Sequence, residues 1–246
     1  MKLVSLNIER DVHLDLVLPF LERTGADVVC LQELFKEDIP RLEAVAGPCF
    51  FVPSTRFESP RGLCTEGIGI FSRAPLQDTA ARRYYGNEGS PVVFNNASPG
   101  HKVATRRYSV ALATMELGGG VWRIATTHFP WTPDGSPDEY QRSALAALCE
   151  ELASEESLAF CGDFNAPRGG EIFSALAERW HDTIPAEYLT SIDISLHKHG
   201  KERSEELADK MVDGLFTTPD YRATKVELVS GVSDHCAIVA ELEHQG

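Results

Sequence analysis

The chain has 246 residues, 43% of them hydrophobic, which suits one large α/β domain (1–246) with a substantial core. A formal net charge of −14 speaks against a non-specific duplex binder, which wants a basic face. Six cysteines with no CxxC pair speak against a disulfide framework and suit a reducing compartment.

Lys2 to Ile8 reads as a buried strand ending in Asn7-Ile8-Glu9. It follows Met1 directly, with no signal-peptide pattern or long apolar span, so a soluble, cytoplasmic protein is expected. Asp11 to Arg23 has helical spacing, with Gly25 as its stop. Asp27 to Gln32 is a second strand, ending in Gln32-Glu33. Lys36 to Ala46 reads as a helix with Pro40 in its first turn. Cys49 to Val52 is a strand, Thr55 to Glu66 a loop, and Gly67 to Ser72 a strand whose glycines admit close backbone approach.

Thr79 to Tyr85 reads as a strand and Gly86 to His101 as a loop. Val103 to Leu117 alternates, turns at Gly118-Gly119-Gly120 and returns through Val121 to His128, a hairpin pattern. Phe129 to Pro137 is a loop carrying Trp131, and Asp138 caps a helix to Glu151. The apolar run Leu158 to Cys161 reads as a strand broken at Gly162. It presents Asp163 and Asn165 on one side by the two-residue alternation of extended chain. A short helix over Glu171 to Arg179 follows, then a charged excursion from Ile184 to Asp209. Strands over Met211–Thr217, Arg222–Val229 and Cys236–Leu242 close the chain, with Ser233-Asp234-His235 between the last two.

Strand ends thus carry Asn7, Glu33, His128, Asp163 with Asn165, Asp213, and Asp234 with His235. A lone Asp is usually a cap or turn residue, and a lone His a structural hydrogen-bonder. The recurrence points to a site along one rim of an α/β sheet. Carboxylates and an amide suit a hard cation such as Mg²⁺. Imidazoles can donate to phosphate oxygens or move a proton near neutral pH. Without cysteine at these ends a structural zinc site is disfavoured. No Gly-x-Ser-x-Gly elbow and no phosphate loop ending in Gly-Lys-Ser/Thr are present.

The series Ser5-Leu-Asn-Ile8, Leu31-Gln-Glu33, Thr127-His128, Gly162-Asp-Phe-Asn165, Val212-Asp213 and Ser233-Asp-His235 resembles the endonuclease/exonuclease/phosphatase superfamily, over Leu3 to Leu242. The resemblance implies a four-layer α/β/β/α sandwich, two mixed β-sheets packed face to face with helices outside. It implies hydrolysis of a phosphate ester with Mg²⁺, for which Mn²⁺ can substitute. In the roles it implies, Glu33 is the main metal ligand, with Asn7 beside it and Asp234 as second metal-side carboxylate. Asp163 orients or deprotonates the attacking water, Asn165 contacts phosphate or water, His128 and His235 donate to phosphoryl oxygens, and Asp213 orients His235. Either Asp163 or the Asp213–His235 pair is left as the base.

Glu9 departs from the Asp that some nuclease members carry at that position. With no counterpart to a nuclease tyrosine, Arg106 or Arg107 is left to contact phosphate, or the pair is structural. Trp131 would stack on a base or lipid chain, or pack its own loop. The expected activity is a phosphodiesterase. A nuclease on DNA or RNA, or an inactive binding module on the same fold, are the alternatives. The loops Gly86–His101 and Ile184–Asp209 are expected to line the cleft and select the substrate.

Overall fold

A computed structural model describes residues 1–133 and 135–245; Asp134, inside the expected loop 129–137, and Gly246 lie outside them. The first part of the chain runs β1 (Lys2–Asn7), α1 (Leu14–Thr24), β2 (Val28–Phe35), a 3-10 turn (Lys36–Asp38), α2 (Ile39–Ala46), β3 (Cys49–Ser59) and β4 (Gly62–Ser72). The middle runs β5 (Gln77–Gly86), α3 (Pro99–Thr105), β6 (Arg107–Leu117), β7 (Gly120–His128), α4 (Glu139–Glu151), β8 (Ala159–Asp163), α5 (Glu171–Ala177) and β9 (His181–Asp182). Then come α6 (Ser204–Leu207), β10 (Asp213–Thr217), β11 (Tyr221–Val229) and β12 (Ala237–His244).

Among the described residues, twelve strands form two six-stranded sheets, ordered β11-β12-β1-β2-β4-β3 and β5-β6-β7-β8-β10-β9. Each sheet has one parallel pair at its centre, β1 with β2 and β7 with β8. The remaining pairings are antiparallel. The parallel strands are covered on both faces, which is why their sequences are almost continuously apolar.

Alternation sorts their side chains between layers. Leu3, Val28 and Cys30 face Ala113, Ile124 and Cys161 of the other sheet in the central core. Val4, Leu6, Val29 and Leu31 face the other way, under Leu14, Val17 and Leu42 of α1 and α2. On the far side, Val110, Leu112 and Phe160 pack under Leu148 of α4 and Phe173 of α5. The result is the expected sandwich of two mixed sheets with helices outside. Polar side chains also sit between the sheets: Gln32 is fully buried, its Nε2 donating to Thr126 Oγ1 at 3.0 Å and towards Ser5 Oγ at 3.4 Å.

Four local expectations are corrected. Thr55–Glu66 is not a loop but the outer half of the β3–β4 hairpin, with Gly62, φ 105°, just after its turn. Its polar residues belong to a strand pair that extends beyond the core. Residues 103–105 are not strand: Ser98 accepts from the His101 N–H as N-cap, Pro99 begins α3, and β6 starts only at Arg107. β2 does not stop at Gln32 but continues to Phe35 through a bulge, with pairing to β4 shifting between Leu31 and Leu34. Nor does Gly162 break its strand. β8 continues to Asp163, and at φ 151° a Cβ on Gly162 would lie 2.1 Å from the Thr127 carbonyl oxygen of β7. Only glycine allows that approach.

Candidate functional site

The carboxyl ends of both central parallel pairs point to the same rim. There Asn7, Glu33, Asp163 and Asn165 line a cleft of about 640 Å³, joined by Asp234 and His235 from the β11–β12 connection.

Asp163 is the hub. Its Oδ2 accepts from Asn7 Nδ2 at 3.0 Å, and its Oδ1 accepts from the Asn165 backbone N–H at 2.8 Å. Asn165 does not reach the rim by strand alternation. It has φ 50°, just past the strand, so the two side chains are joined by a side-chain-to-backbone turn. Its Nδ2 donates to the Phe129 carbonyl at 3.0 Å, tying the turn to the end of β7.

Two histidines flank Asp163 in different states. His235 Nδ1 donates to Asp213 Oδ2 at 2.7 Å, and its Nε2 lies 3.9 Å from Asp163 Oδ2. Burial opposes its charge, yet Asp213 and then Asp163 hold its proton well above the ordinary histidine range. Burial also dominates at His128, where the pull of Asp163 does not compensate and Arg106 adds repulsion, so its pKa is lowered. Arg106 Nη1 approaches His128 Nδ1 at 3.4 Å. A guanidinium only donates, so Nδ1 is the acceptor and the neutral ring carries its proton on Nε2. That nitrogen lies 3.6 Å from Asp163 Oδ2 and 4.0 Å from Glu33 Oε1.

The β2 bulge puts Glu33 at φ 52°, rotating its side chain out of the strand pattern and onto the rim. Arg10 Nη1 donates to Glu33 Oε2 at 2.5 Å and lies 3.6 Å from Glu66 Oε2. Burial raises the Glu33 carboxyl, but Arg10, then His128 and Arg106, outweigh it and hold it at about 2. Arg106 Nη2 donates to Glu66 Oε1 at 2.6 Å, with its guanidinium 5.0 Å from the Phe94 ring. Burial pushes Glu66 up to about 7; Arg106 pulls it down, but Glu33 reinforces the rise.

Of the two arginines named from sequence, Arg106 is buried and turned to Glu66 and His128. Arg107 is half-buried, sits outside the cleft, and its carbonyl accepts from Ser54 Oγ. Trp131 is 50% exposed at the cleft, with Lys102 Nζ 3.9 Å from its ring centroid. The excursion lines the cleft as expected, through Ile192, His197 and Lys198. The loop 86–101 does not; it runs alongside β3, Val93 bridging to Arg56.

Sequence reading missed Arg10 and Glu66. Arg10 directly follows the Asn7-Ile8-Glu9 strand end. Glu66 is the one carboxylate beside the glycine alternation of β4. Glu9 lines the cleft as well, in a left-handed conformation it shares with Arg10 (φ 44° and 64°).

The oxygen-rich donor set of Asn7, Glu33 and Asp234 fits a hard divalent cation. Among the described residues Asp234, 7% exposed, forms no direct ion pair and accepts from Ser233 Oγ.

Comparisons with known proteins bear on the family and the fold. A family model described as Endonuclease/Exonuclease/phosphatase family matches residues 4–235. An endonuclease/exonuclease/phosphatase from Beutenbergia cavernae is similar over 100% of this chain and 72% of its own, at 16% identity and TM-score 0.74. One from Bacteroides vulgatus is similar over 99% and 98%, at 17% identity and TM-score 0.71. The human Nocturnin catalytic domain, with bound sulfate, is similar over 100% and 93%, at 17% identity and TM-score 0.66. No curated protein sequence matches.

Proposed function

The chain belongs to the endonuclease/exonuclease/phosphatase family, and from that premise we propose that it is a divalent-metal-dependent phosphodiesterase, cleaving a phosphate ester by in-line attack of water. The observation that carries this is the meeting of Asp163 with a cationic and a neutral imidazole at one rim of the sheets. In-line attack needs a base on one side of phosphorus and charge neutralisation around its equatorial oxygens.

Asn7, Glu33 and Asp234 would hold Mg²⁺, or Mn²⁺ in its place. When bound, the ion supplies Lewis-acid neutralisation of the phosphoryl oxygens. Asp163 takes the proton of the attacking water; the Asn7 amide and the Asn165 N–H hold its carboxylate in place. His235, kept protonated by Asp213, donates from Nε2 as a cation. His128 donates from Nε2 as a neutral ring. Arg106 serves by holding His128, so phosphate contact falls to the imidazoles rather than to Arg106 or Arg107. Asn165 borders the phosphate position.

A second reading, cleavage of nucleic acid, is favoured by one observation. Trp131, half exposed with Lys102 over its face, offers a stacking platform and a charge beside the cleft.

The test is hydrolysis of bis-p-nitrophenyl phosphate with Mg²⁺ or Mn²⁺. Wild type should turn over, and Glu33→Ala and His235→Ala should not. Full activity in either variant, or no hydrolysis of any phosphate ester with any divalent ion, refutes the proposal. Parallel assays on DNA, RNA and lipid phosphodiesters separate the two readings.

A further inference from the structure

One buried cluster beside the cleft shares only Asp234 with the chemistry above. His13 directly precedes α1, and its Nε2 lies 3.2 Å from Glu9 Oε2. Asp234 faces both. One ligand atom from each of Glu9, His13 and Asp234 lies within 4.8 Å of the other two. His13 is 8% exposed and Asp234 7%. The two carboxylates carry two negative charges into this corner, where Arg10 Nη2 lies 3.6 Å from Glu9 Oε1 and His13 stands on the other side of the same carboxylate. Asp234 forms no direct ion pair among the described residues and accepts from Ser233 Oγ, while its charge adds to the pull on the His235 proton.

The donor set is what sets this corner apart. Asn7 and Glu33 offer only oxygen to a cation, the preference of Mg²⁺. His13 adds an imidazole nitrogen, which suits Mn²⁺ and the later d-block ions. We propose that Glu9, His13 and Asp234 form a cation site that selects a borderline d-block ion such as Mn²⁺ over Mg²⁺, with His13 as the selecting ligand. This rests on the reading of the cleft as a divalent-metal phosphoesterase site. It goes further by naming a ligand and a class of ion.

The experiment is Mn²⁺ binding to the full chain, followed by calorimetry and by electron spin echo spectroscopy, which reports nitrogen bound to manganese. Wild type should show nitrogen coupling, and His13→Gln should lose it. His13→Gln should also weaken Mn²⁺ binding about 10–100-fold while shifting Mg²⁺ binding less than about threefold. His13→Asp, which keeps a compact ligand, serves if the first variant does not fold. It should bind Mn²⁺ without nitrogen coupling.

Absence of nitrogen coupling in wild type overturns the proposal. So does coupling that survives in the variants, which would assign it to another histidine, or an equal loss of Mg²⁺ and Mn²⁺ binding. Hydrolysis of bis-p-nitrophenyl phosphate by wild type with Mg²⁺ is measured alongside. Failure there with nitrogen coupling present sinks the phosphoesterase reading and leaves the ion site standing.

Discussion

Replacing Asp213 by Asn keeps the shape of the side chain and removes its charge. In the wild-type protein Asp213 accepts from His235 Nδ1 at 2.7 Å, with both residues buried. A hydrogen bond to a charged group contributes about 1.5–3 kcal/mol. At 2–4 °C per kcal/mol for a chain of this size, D213N should melt roughly 3–12 °C lower. The sign with pH follows from the direction of the His235 shift. Its folded-state pKa is raised, so the stability it contributes is fully present below the unfolded value of about 6.5. That contribution is lost as pH rises through the folded value. The gap in melting temperature should therefore be widest on the acid side and close towards alkaline pH. Activity should also fall, because a neutral His235 is a poorer donor; losing one such donor costs about 10²–10³ in kcat. The assay is kcat against pH on bis-p-nitrophenyl phosphate, beside thermal melts over the same range. Wild-type kcat in D213N, or a melting gap that widens with rising pH, would sink this account of His235.

Glu66→Ala strands the buried Arg106 guanidinium. It should cost about 3–5 kcal/mol, read as a melt at least ~6 °C lower, and should reduce kcat as His128 loses its holder. Glu66→Gln, which keeps an acceptor, should recover most of the stability. Gly162→Ala puts a Cβ 2.1 Å from a backbone oxygen and should destabilise by about 3 kcal/mol or more. Its kcat should fall too, since the β7–β8 pairing sets His128 opposite Asp163; an equally stable, fully active variant would contradict this. Trp131→Ala should raise KM about 5–100-fold for a substrate bearing a nucleobase and leave kcat and small alkyl phosphodiesters nearly unchanged.

Much of the fold was legible because the two parallel pairs are covered on both faces. β1, β2, β7 and β8 are apolar runs, and each ends in or near a polar group whose type suits chemistry. The β3–β4 hairpin was not legible, because Thr55, Arg56, Ser59 and Thr65 follow the composition of a loop while their pairing is backbone to backbone. The helix over 99–105 was hidden because valine, alanine and threonine there fit either a strand or one turn of helix. At the site, Asp163 and His235 could be named from neighbours along the chain. Arg10 and Glu66 could not, nor could the role of Arg106, because their partnership spans separate strands and appears only when the sheet edge brings them together. Asn165 was found for the wrong reason: its place depends on a left-handed turn, not on alternation.

The buried amide of Gln32 bears on how the two halves of the cleft stay matched. Apolar sheet faces attract wherever they touch and would tolerate a slide along the strand axis. A slip of one strand repeat moves a residue by roughly 7 Å, enough to carry Asn7 and Glu33 past Asp163 and His128. Gln32 reaches across to Thr126 and works like a dowel between two boards. It stands next to Glu33 in the chain, so the peg that sets the alignment and the carboxylate that needs it sit side by side.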